Sequence, residues 1–312
     1  MNHSNIFGES TNRTIAYPTP HLDKLNAALS NPKCRQDWTL IKEAIQLYKN
    51  WIERLEQLSS TGKERVNEMV HLLNWYKDEF EVNLIMKKGS NFLKRQKGQL
   101  KLDNTILEEF LGRLIHPQIL NGIEELEKLV IGPQNTFLSF AFLPPSLKEL
   151  CKKPNVVLKT KDQDFIIGAK IFYKFSTDGT FTRNYTDSGS LILSVLATEC
   201  KVNLDKTMFQ EAAGTAARLK QGCPASKYFL VVEFLDMEPE DCRLTAIDNV
   251  FLLRHAKRLP FEKRDIVEEV ECQHKDFPID AEIIWRFVQE IQSFVESTWY
   301  DPEGALKRGS FV

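Results

Sequence analysis

The feature that most constrains this chain is an apolar run that ends in an acid and a lysine. The run is Ser190–Thr198, and it leads directly into Glu199-Cys200-Lys201, where the lysine follows the acid two positions later. Such a run indicates a buried strand, and alternate side chains of a strand share one face. Glu199 and Lys201 are therefore expected to point the same way at the end of that strand.

An acid and a lysine at a strand end have two interpretations. The first is an ordinary charge pair at the edge of a sheet, which an isolated Glu-x-Lys most often is. The second is a catalytic pair, in which the acid holds a hard cation through oxygen and the lysine orients the attacking water. The rest of the sequence decides between them.

The composition permits a sizeable core and excludes several classes of protein. The 312 residues are 42% hydrophobic, and 41 basic residues against 43 acidic ones give a formal net charge of -2. A chain with this charge binds a polyanion only through a local basic cluster. No apolar run reaches membrane-spanning length. Six scattered cysteines without a C-x-x-C pair predict reduced thiols in a cytoplasmic protein.

The sequence divides into three predicted regions. Residues 1–34 are rich in Asn, Ser, Thr and Pro and are expected to form a loosely ordered arm. Residues 35–140 are predicted to form a helical region, and residues 141–312 a core with a closing helix. Helical periodicity places helices over Trp38–Leu58, over Val66–Leu84, after Asp103-Asn104 and over Gln118–Val130.

The pattern changes from helical to extended after residue 155. The predicted elements are strands Val156–Thr160 and Asp164–Phe175, the strand ending in Glu199-Cys200-Lys201, a helix Asp205–Lys220, strands Lys227–Leu235 and Asn249–Arg254, and a helix Ile279–Thr298. This order predicts an α/β fold with a small mixed sheet, an N-terminal helical region and a C-terminal helix.

A second carboxylate is expected beside Glu199. Asp164 begins the preceding strand, and the start of one strand in an antiparallel hairpin lies beside the end of its partner. Two converging carboxylates need a cation to offset their repulsion, and Mg²⁺ suits a site of oxygen ligands. Asp187, twelve positions before Glu199, and Asp162 are the alternatives for this first acid.

The pattern of Asp164 with Glu199-Cys200-Lys201 resembles the PD-(D/E)XK nuclease superfamily, although Gln163 stands where the family's name has proline. Residues 91–103, 199–216 and 228–239 are more specific. They resemble a group of Type II restriction endonucleases that cut interrupted or asymmetric sites with a C-T-N-A-G-like core. The resemblance spans about residues 85–260, and it implies the mixed-sheet fold of that superfamily.

The resemblance also implies a Mg²⁺-dependent site built on Asp164 and Glu199. The carbonyl of Cys200 would be a third oxygen ligand, and Lys201 would assist the attacking water, giving a 5′-phosphate and a 3′-hydroxyl. Gln210, or Glu211 next to it, would reach the metal or a phosphate from the following helix. The alternative is that both face solvent in the first turns of that helix.

A basic segment in the helical region is the predicted DNA contact. Its residues are Lys94, Arg95, Gln96, Lys97 and Lys101. Lysine and arginine contact phosphates, whereas glutamine and arginine can read base edges. The alternatives are a solvated helix end and a second basic cluster at residues 254–258, predicted to follow the last strand.

These features predict a Type II restriction endonuclease that acts on double-stranded DNA. One such site cuts one strand, so a double-strand break needs two copies, from a homodimer or from a heterodimer with a sister subunit. The alternatives are a repair or mobile-element nuclease with the same core, and a non-catalytic DNA-binding subunit of a restriction system.

Overall fold

A computed structural model describes residues 17–123, 126, 128–297 and 302–310 of the chain. Its helices are α1 (Pro20–Ser30), α2 (Trp38–Glu56), α3 (Gly62–Lys77), α4 (Asn91–Gln96), α5 (Asn104–Arg113), α6 (Leu147–Leu150), α7 (Lys206–Gly222), α8 (Val267–Asp276), α9 (Ala281–Glu296) and α10 (Pro302–Arg308). Its strands are β1 (Leu129–Phe142), β2 (Val156–Ser176), β3 (Thr186–Leu204), β4 (Lys227–Leu235) and β5 (Asn249–Lys257). Within the described part, no helix is long and apolar enough to cross a bilayer.

The five strands form one mixed sheet in the order β1-β2-β3-β4-β5. The first three strands pair antiparallel, whereas β3, β4 and β5 pair parallel. Helix α7 is the crossover from β3 to β4, and the Asp205 carboxylate caps it by accepting from the Met208 amide at 2.8 Å. The predicted α/β fold with a mixed sheet and N-terminal helices is confirmed.

Helices cover both faces of the sheet, so that consecutive strand residues enter different cores. Phe165 and Phe229 pack in the larger core with the N-terminal helices and α9. Their neighbours Ile166 and Leu230 pack in a smaller core against α7. This alternation is the period of two that the strand pattern predicts, and it places the middle of β2 and the C-terminal end of β3 between two layers of helix.

Charged side chains are buried where the helical region meets the sheet. Lys77, at the end of α3, lies 2.7 Å from Glu233 Oε1 on β4 and 2.5 Å from Glu81 Oε1. Arg254 Nε on β5 donates to Glu233 Oε2 at 2.9 Å. These four residues, the buried ion network, are almost inaccessible to solvent. Removing one partner from such a network leaves an uncompensated buried charge, so the network ties the helices to the sheet.

Several sequence predictions in the first half were wrong. The helix expected over Gln118–Val130 gives way to turns in its described part, and the chain enters β1 at Leu129. The sheet therefore begins before residue 141, where the core was expected to start. The arm expected over residues 1–34 contains α1 with a buried Leu25; residues 1–16 lie outside the described residues.

Two further corrections concern the strands. The segments predicted as separate strands around Thr160 and Asp164 are one continuous β2. The basic cluster expected after the last strand lies mostly inside β5, and Arg254 is buried in the ion network. That arginine is consequently not available to DNA. The predicted closing helix is confirmed as α9, although Thr298, its expected last residue, lies outside the described residues.

Strand β2 is distorted at Asp164. Gly132 of β1 pairs with Ile166, and Gln134 pairs with Gln163, so Asp164 and Phe165 together oppose Pro133. The extra residue is a β-bulge, and proline is tolerated there because it has no amide hydrogen to contribute to the ladder. Bulges re-aim side chains. Asp164 is thus the residue where β2 leaves regular pairing.

Candidate active site

The hairpin of β2 and β3 places Asp164 beside Glu199. Phe165 and Thr198 are cross-strand partners, so Asp164 and Glu199 occupy the next positions along the two strands. The Cys200 amide donates to Asp164 Oδ2 at 3.0 Å. The N–H and C=O of one strand residue point toward the same neighbouring strand. The Cys200 carbonyl therefore lies on the Asp164 side of β3.

Glu199 and Lys201 share a face, as the strand period predicts. Lys201 Nζ lies 2.7 Å from Glu199 Oε1. Burial disfavours the Lys201 ammonium, but the negative charges of Glu199 and Asp164 together outweigh that effect and raise the pKa of Lys201. Tyr228, on the neighbouring β4, donates its hydroxyl to Glu199 Oε2 at 2.8 Å. Burial and the Glu199 charge raise the pKa of Tyr228 as well, so both donors remain protonated near neutral pH.

A third carboxyl group at this site was missed by the sequence analysis. Glu108 of α5 is buried, and its carboxyl group and that of Asp164 both lie within 4 Å of the Lys101 ammonium. Burial and the adjacent Asp164 charge raise the pKa of Glu108 to about 7. The sequence carried a signal, because Glu108 and Glu109 lie inside the apolar stretch Ile106–Leu111. Acids at buried helix positions are rarely accommodated without partners.

Lys101 also lies at the carboxylates. Its ammonium is 3.5 Å from Asp164 Oδ1 and 3.8 Å from Glu108 Oε1. Its backbone has a φ of 55°, a left-handed conformation that residues other than glycine adopt infrequently. The ammonium lowers the pKa of Glu108 against the stronger effects of burial and Asp164. A residue predicted to contact DNA therefore reaches the predicted metal site.

The two alternative first acids lie elsewhere. Asp187 is twelve positions before Glu199 on β3, up to roughly 40 Å away along an extended strand. Its carboxylate accepts from the Val156 amide at 3.0 Å and pairs with Lys153 at 2.8 Å. Asp162 is exposed and accepts from the side chain of Asn135 at 2.7 Å. Neither acid bonds to Glu199 or Lys201, whereas Asp164 lies beside Glu199 on the neighbouring strand.

The oxygen donors at this site suit a hard cation, although they do not form a compact cage. Among the described residues, no group of three His, Cys, Asp or Glu side chains is positioned to hold a metal ion. Glu108 lies with Asp164, while Glu199 faces Lys201 and Tyr228. A carboxylate offers about four acceptor positions, so Glu199 retains capacity for a cation. The pKa of Glu108 is raised first by burial and then by the adjacent Asp164 charge, and a divalent cation beside the two carboxyl groups would offset the second effect.

The remaining predicted residues have simple placements. Gln210 and Glu211 are exposed on α7. Gln96 is half-buried on α4. Lys94, Arg95 and Lys97 line a cavity of about 210 Å³ together with Arg264 and Asp265. The structure thus brings Asp164, Glu199, Cys200, Lys201 and Lys101 together, with most of the basic segment beside them in sequence.

Comparisons with known proteins identify the family and the fold. A family model described as Bpu10I restriction endonuclease matches residues 99–311. Among solved structures, a chain of the native BbvCI A2B2 tetramer matches with a TM-score of 0.65 and 20% sequence identity. That match covers 91% of this chain and 100% of the other. At such identity the likeness shows the fold alone. No match was found among curated proteins.

Proposed function

This chain belongs to the Bpu10I restriction endonuclease family, and we propose that it hydrolyses DNA phosphodiester bonds at a specific site with Asp164, Glu199 and Lys201. The observation that carries the proposal is the register of β2 and β3, which sets Asp164 beside Glu199 while the Cys200 amide holds Asp164 at 3.0 Å. The products are a 5′-phosphate and a 3′-hydroxyl.

The oxygen ligands that would hold Mg²⁺ are Asp164, Glu199 and the Cys200 carbonyl, and Glu108 would be a fourth. A bound divalent cation would offset the charge that grows on the phosphate and lower the pKa of water. Glu108 must lose its proton to serve as a ligand, because a carboxylic acid is a poor ligand for a hard cation. Burial and the adjacent Asp164 charge oppose that loss, and a cation bound beside the two carboxyl groups would favour it.

Lys201 and Tyr228 hold Glu199 in place from two sides. The raised pKa of Lys201 keeps it an ammonium, so its role is to orient the attacking water and to offset charge on the phosphate rather than to remove a proton. Tyr228 fixes the second oxygen of Glu199. Gln210 is exposed about one turn into α7, where it would meet a phosphate of bound DNA.

A double-strand break needs two such sites. The matched solved structure is described as an A2B2 tetramer, and this chain is proposed to assemble with a sister subunit, each supplying one site; a homodimer is the simpler alternative. Residues 35–140 would take part in DNA binding or dimerisation, and a C-T-N-A-G-like core is the proposed target. Sedimentation of the chain alone and with a sister subunit distinguishes the two assemblies.

The proposed activity is tested by digesting a plasmid of known sequence with Mg²⁺ and mapping the ends. Cuts at one repeated sequence with 5′-phosphates are expected, whereas nicks scattered over the plasmid would favour a repair or mobile-element nuclease. Glu199→Ala and Lys201→Ala should each abolish cutting while binding DNA normally in Ca²⁺. If both variants cut at the wild-type rate, this is not the active site. If the wild type with its partner binds but never cuts, the chain is a non-catalytic subunit.

A further inference from the structure

A cavity on the helical side of the molecule is rich in positive charge. It lies between the segment Ile85–Lys97 and the loop after β5, and its charged lining is Lys94, Arg95, Lys97, Arg264 and Asp265. Four cations face one carboxylate, in a chain whose formal net charge is -2. A cavity of about 430 Å³ beside β5 has one arginine, Arg286, and one glutamate, Glu290, in its lining. The charge of the first cavity is therefore not a general property of the surface.

Arg264 is held in a fixed orientation at this cavity. Its Nε donates to the Leu259 carbonyl at 2.7 Å, and its Nη2 donates to Asp236 Oδ2 at 3.3 Å. A guanidinium has five N–H groups, so the remaining donors stay available to a ligand. A planar, pre-oriented guanidinium matches the oxygens of a phosphate better than a mobile lysine does. The cavity, with room for several water molecules, can admit such a group.

The cavity lies close to the candidate active site along the chain. Lys97 lines the cavity, and Lys101, four residues later, contacts Asp164. Four residues span at most about 14 Å, and the Leu102 amide bonds the Lys97 carbonyl at 2.9 Å, so the turn is more compact than that. Successive nucleotides of one strand advance about 3.4 Å along a duplex. The two places are thus separated by only a few nucleotides of bound DNA.

We propose that this cavity binds a DNA backbone phosphate a few nucleotides from the one that is cut, with Arg264 as its principal contact. Lys94, Arg95 and Lys97 form the opposite wall. The inference rests on the proposed function and adds a residue far from the basic segment in sequence. A phosphate contact positions the duplex without reading its sequence, so Arg264 should contribute equally to cognate and unrelated DNA.

The test measures duplex binding over a salt series in Ca²⁺, in place of Mg²⁺, so that the DNA is not cut during the measurement. Arg264→Gln should lower the slope of log affinity against log salt by about one unit, because each phosphate contact releases about one counterion. Arg264→Lys should keep the slope, since the charge remains. Arg243→Gln is the matched control: this exposed arginine also pairs with an aspartate, Asp241, and its loss should leave the slope unchanged. Lys94 lies on the opposite wall of the cavity, and Lys94→Gln should likewise lower the slope by about one unit.

The outcomes separate this inference from the proposed function. If Arg264→Gln and Lys94→Gln both keep the wild-type slope, the cavity does not bind backbone phosphate, whether or not the wild type cuts DNA. A second arm measures the melting temperature with inorganic phosphate. Stabilisation by phosphate that Arg264→Gln abolishes, without any change in the DNA slope, would mean a site for free phosphate and would also overturn the proposal. If the wild type does not cut DNA but the salt slopes change as expected, the proposed function is contradicted and the phosphate contact is supported.

Discussion

The Cys200 amide donates a hydrogen bond to Asp164 Oδ2 at 3.0 Å, so the strand that carries Glu199 and Lys201 also positions the first acid. The contact occurs where β2 bulges opposite Pro133. In a regular ladder, the Cys200 amide would donate to a main-chain carbonyl of β2. The bulge substitutes a carboxylate for it, and one backbone amide thereby aligns the acids of two strands.

This contact leads to a prediction that separates the candidate first acids. Asp164→Asn keeps an oxygen for the Cys200 amide but loses the charge, so it should fold normally, bind DNA in Ca²⁺ and fail to cut in Mg²⁺. Asp187→Asn is the control, because Asp187 makes equivalent contacts to an amide and a lysine at the far end of β3. It should retain substantial cutting. Inactive Asp187→Asn with active Asp164→Asn would contradict the site described here.

The raised pKa of Glu108 predicts how stability depends on pH without metal. Between about pH 4.5 and pH 7 the folded chain keeps a proton that the unfolded chain has lost. The free energy of unfolding therefore falls as pH rises through this window, by at most about 3.5 kcal/mol at ~1.4 kcal/mol per pKa unit. Urea unfolding of Glu108→Gln in EDTA should show a smaller fall than the wild type, and thus a more stable variant at pH 8. The exposed Glu56→Gln should behave as the wild type; identical curves for Glu108→Gln would refute the prediction.

The basic segment should affect affinity and sequence preference through different residues. Lys94→Ala should weaken binding to cognate and scrambled duplexes alike and reduce the salt slope by about one unit. Gln96→Ala should leave the slope unchanged and reduce the preference for the cognate site, since an amide can read a base edge. Anisotropy titrations in Ca²⁺ over a salt series measure both quantities. Wild-type values for both variants would place recognition outside this segment.

The buried ion network should be costly to break. Lys77→Met leaves Glu81 and Glu233 without their shared cation, and removal of one partner from a buried pair costs about 3–5 kcal/mol. Lys63→Met is the control, because Lys63 pairs with Glu282 on the exposed surface, where a pair contributes about 0–1 kcal/mol. Equilibrium urea unfolding measures both variants. Equal losses would show that the network does not stabilise the folded chain.

Part of the site follows from the sequence because it depends on local periodicity. The alternation of Glu199 and Lys201, and the pairing of Asp164 with the end of β3, need only a strand pattern and a hairpin. The cap of α7 at Asp205 is equally local. These features are set by residues close in sequence or by one antiparallel pairing, which the apolar pattern identifies.

Other parts depend on packing between distant segments. Glu108 reaches Asp164 because α5 lies against the sheet, and no spacing in the sequence encodes that contact. Strand β1 was missed because Gly132-Pro133 was interpreted as the end of a helix, whereas the two residues continue β1 opposite the bulge of β2, with a φ of 95° at Gly132. Helix α1 was missed because polar residues and prolines suggested a loose arm, although Pro20 suits the first turn of a helix.

The buried ion network determines whether the helical region can be separated from the sheet. The family match begins at residue 99, yet Lys77 and Glu81 come before that point and their partners Glu233 and Arg254 come long after it. A fragment that begins at residue 99 would contain Glu233 and Arg254 but would lack their partner Lys77. The helical region is therefore not a detachable module, and an exchange of this region between relatives would have to transfer α3 together with the facing positions of β4 and β5.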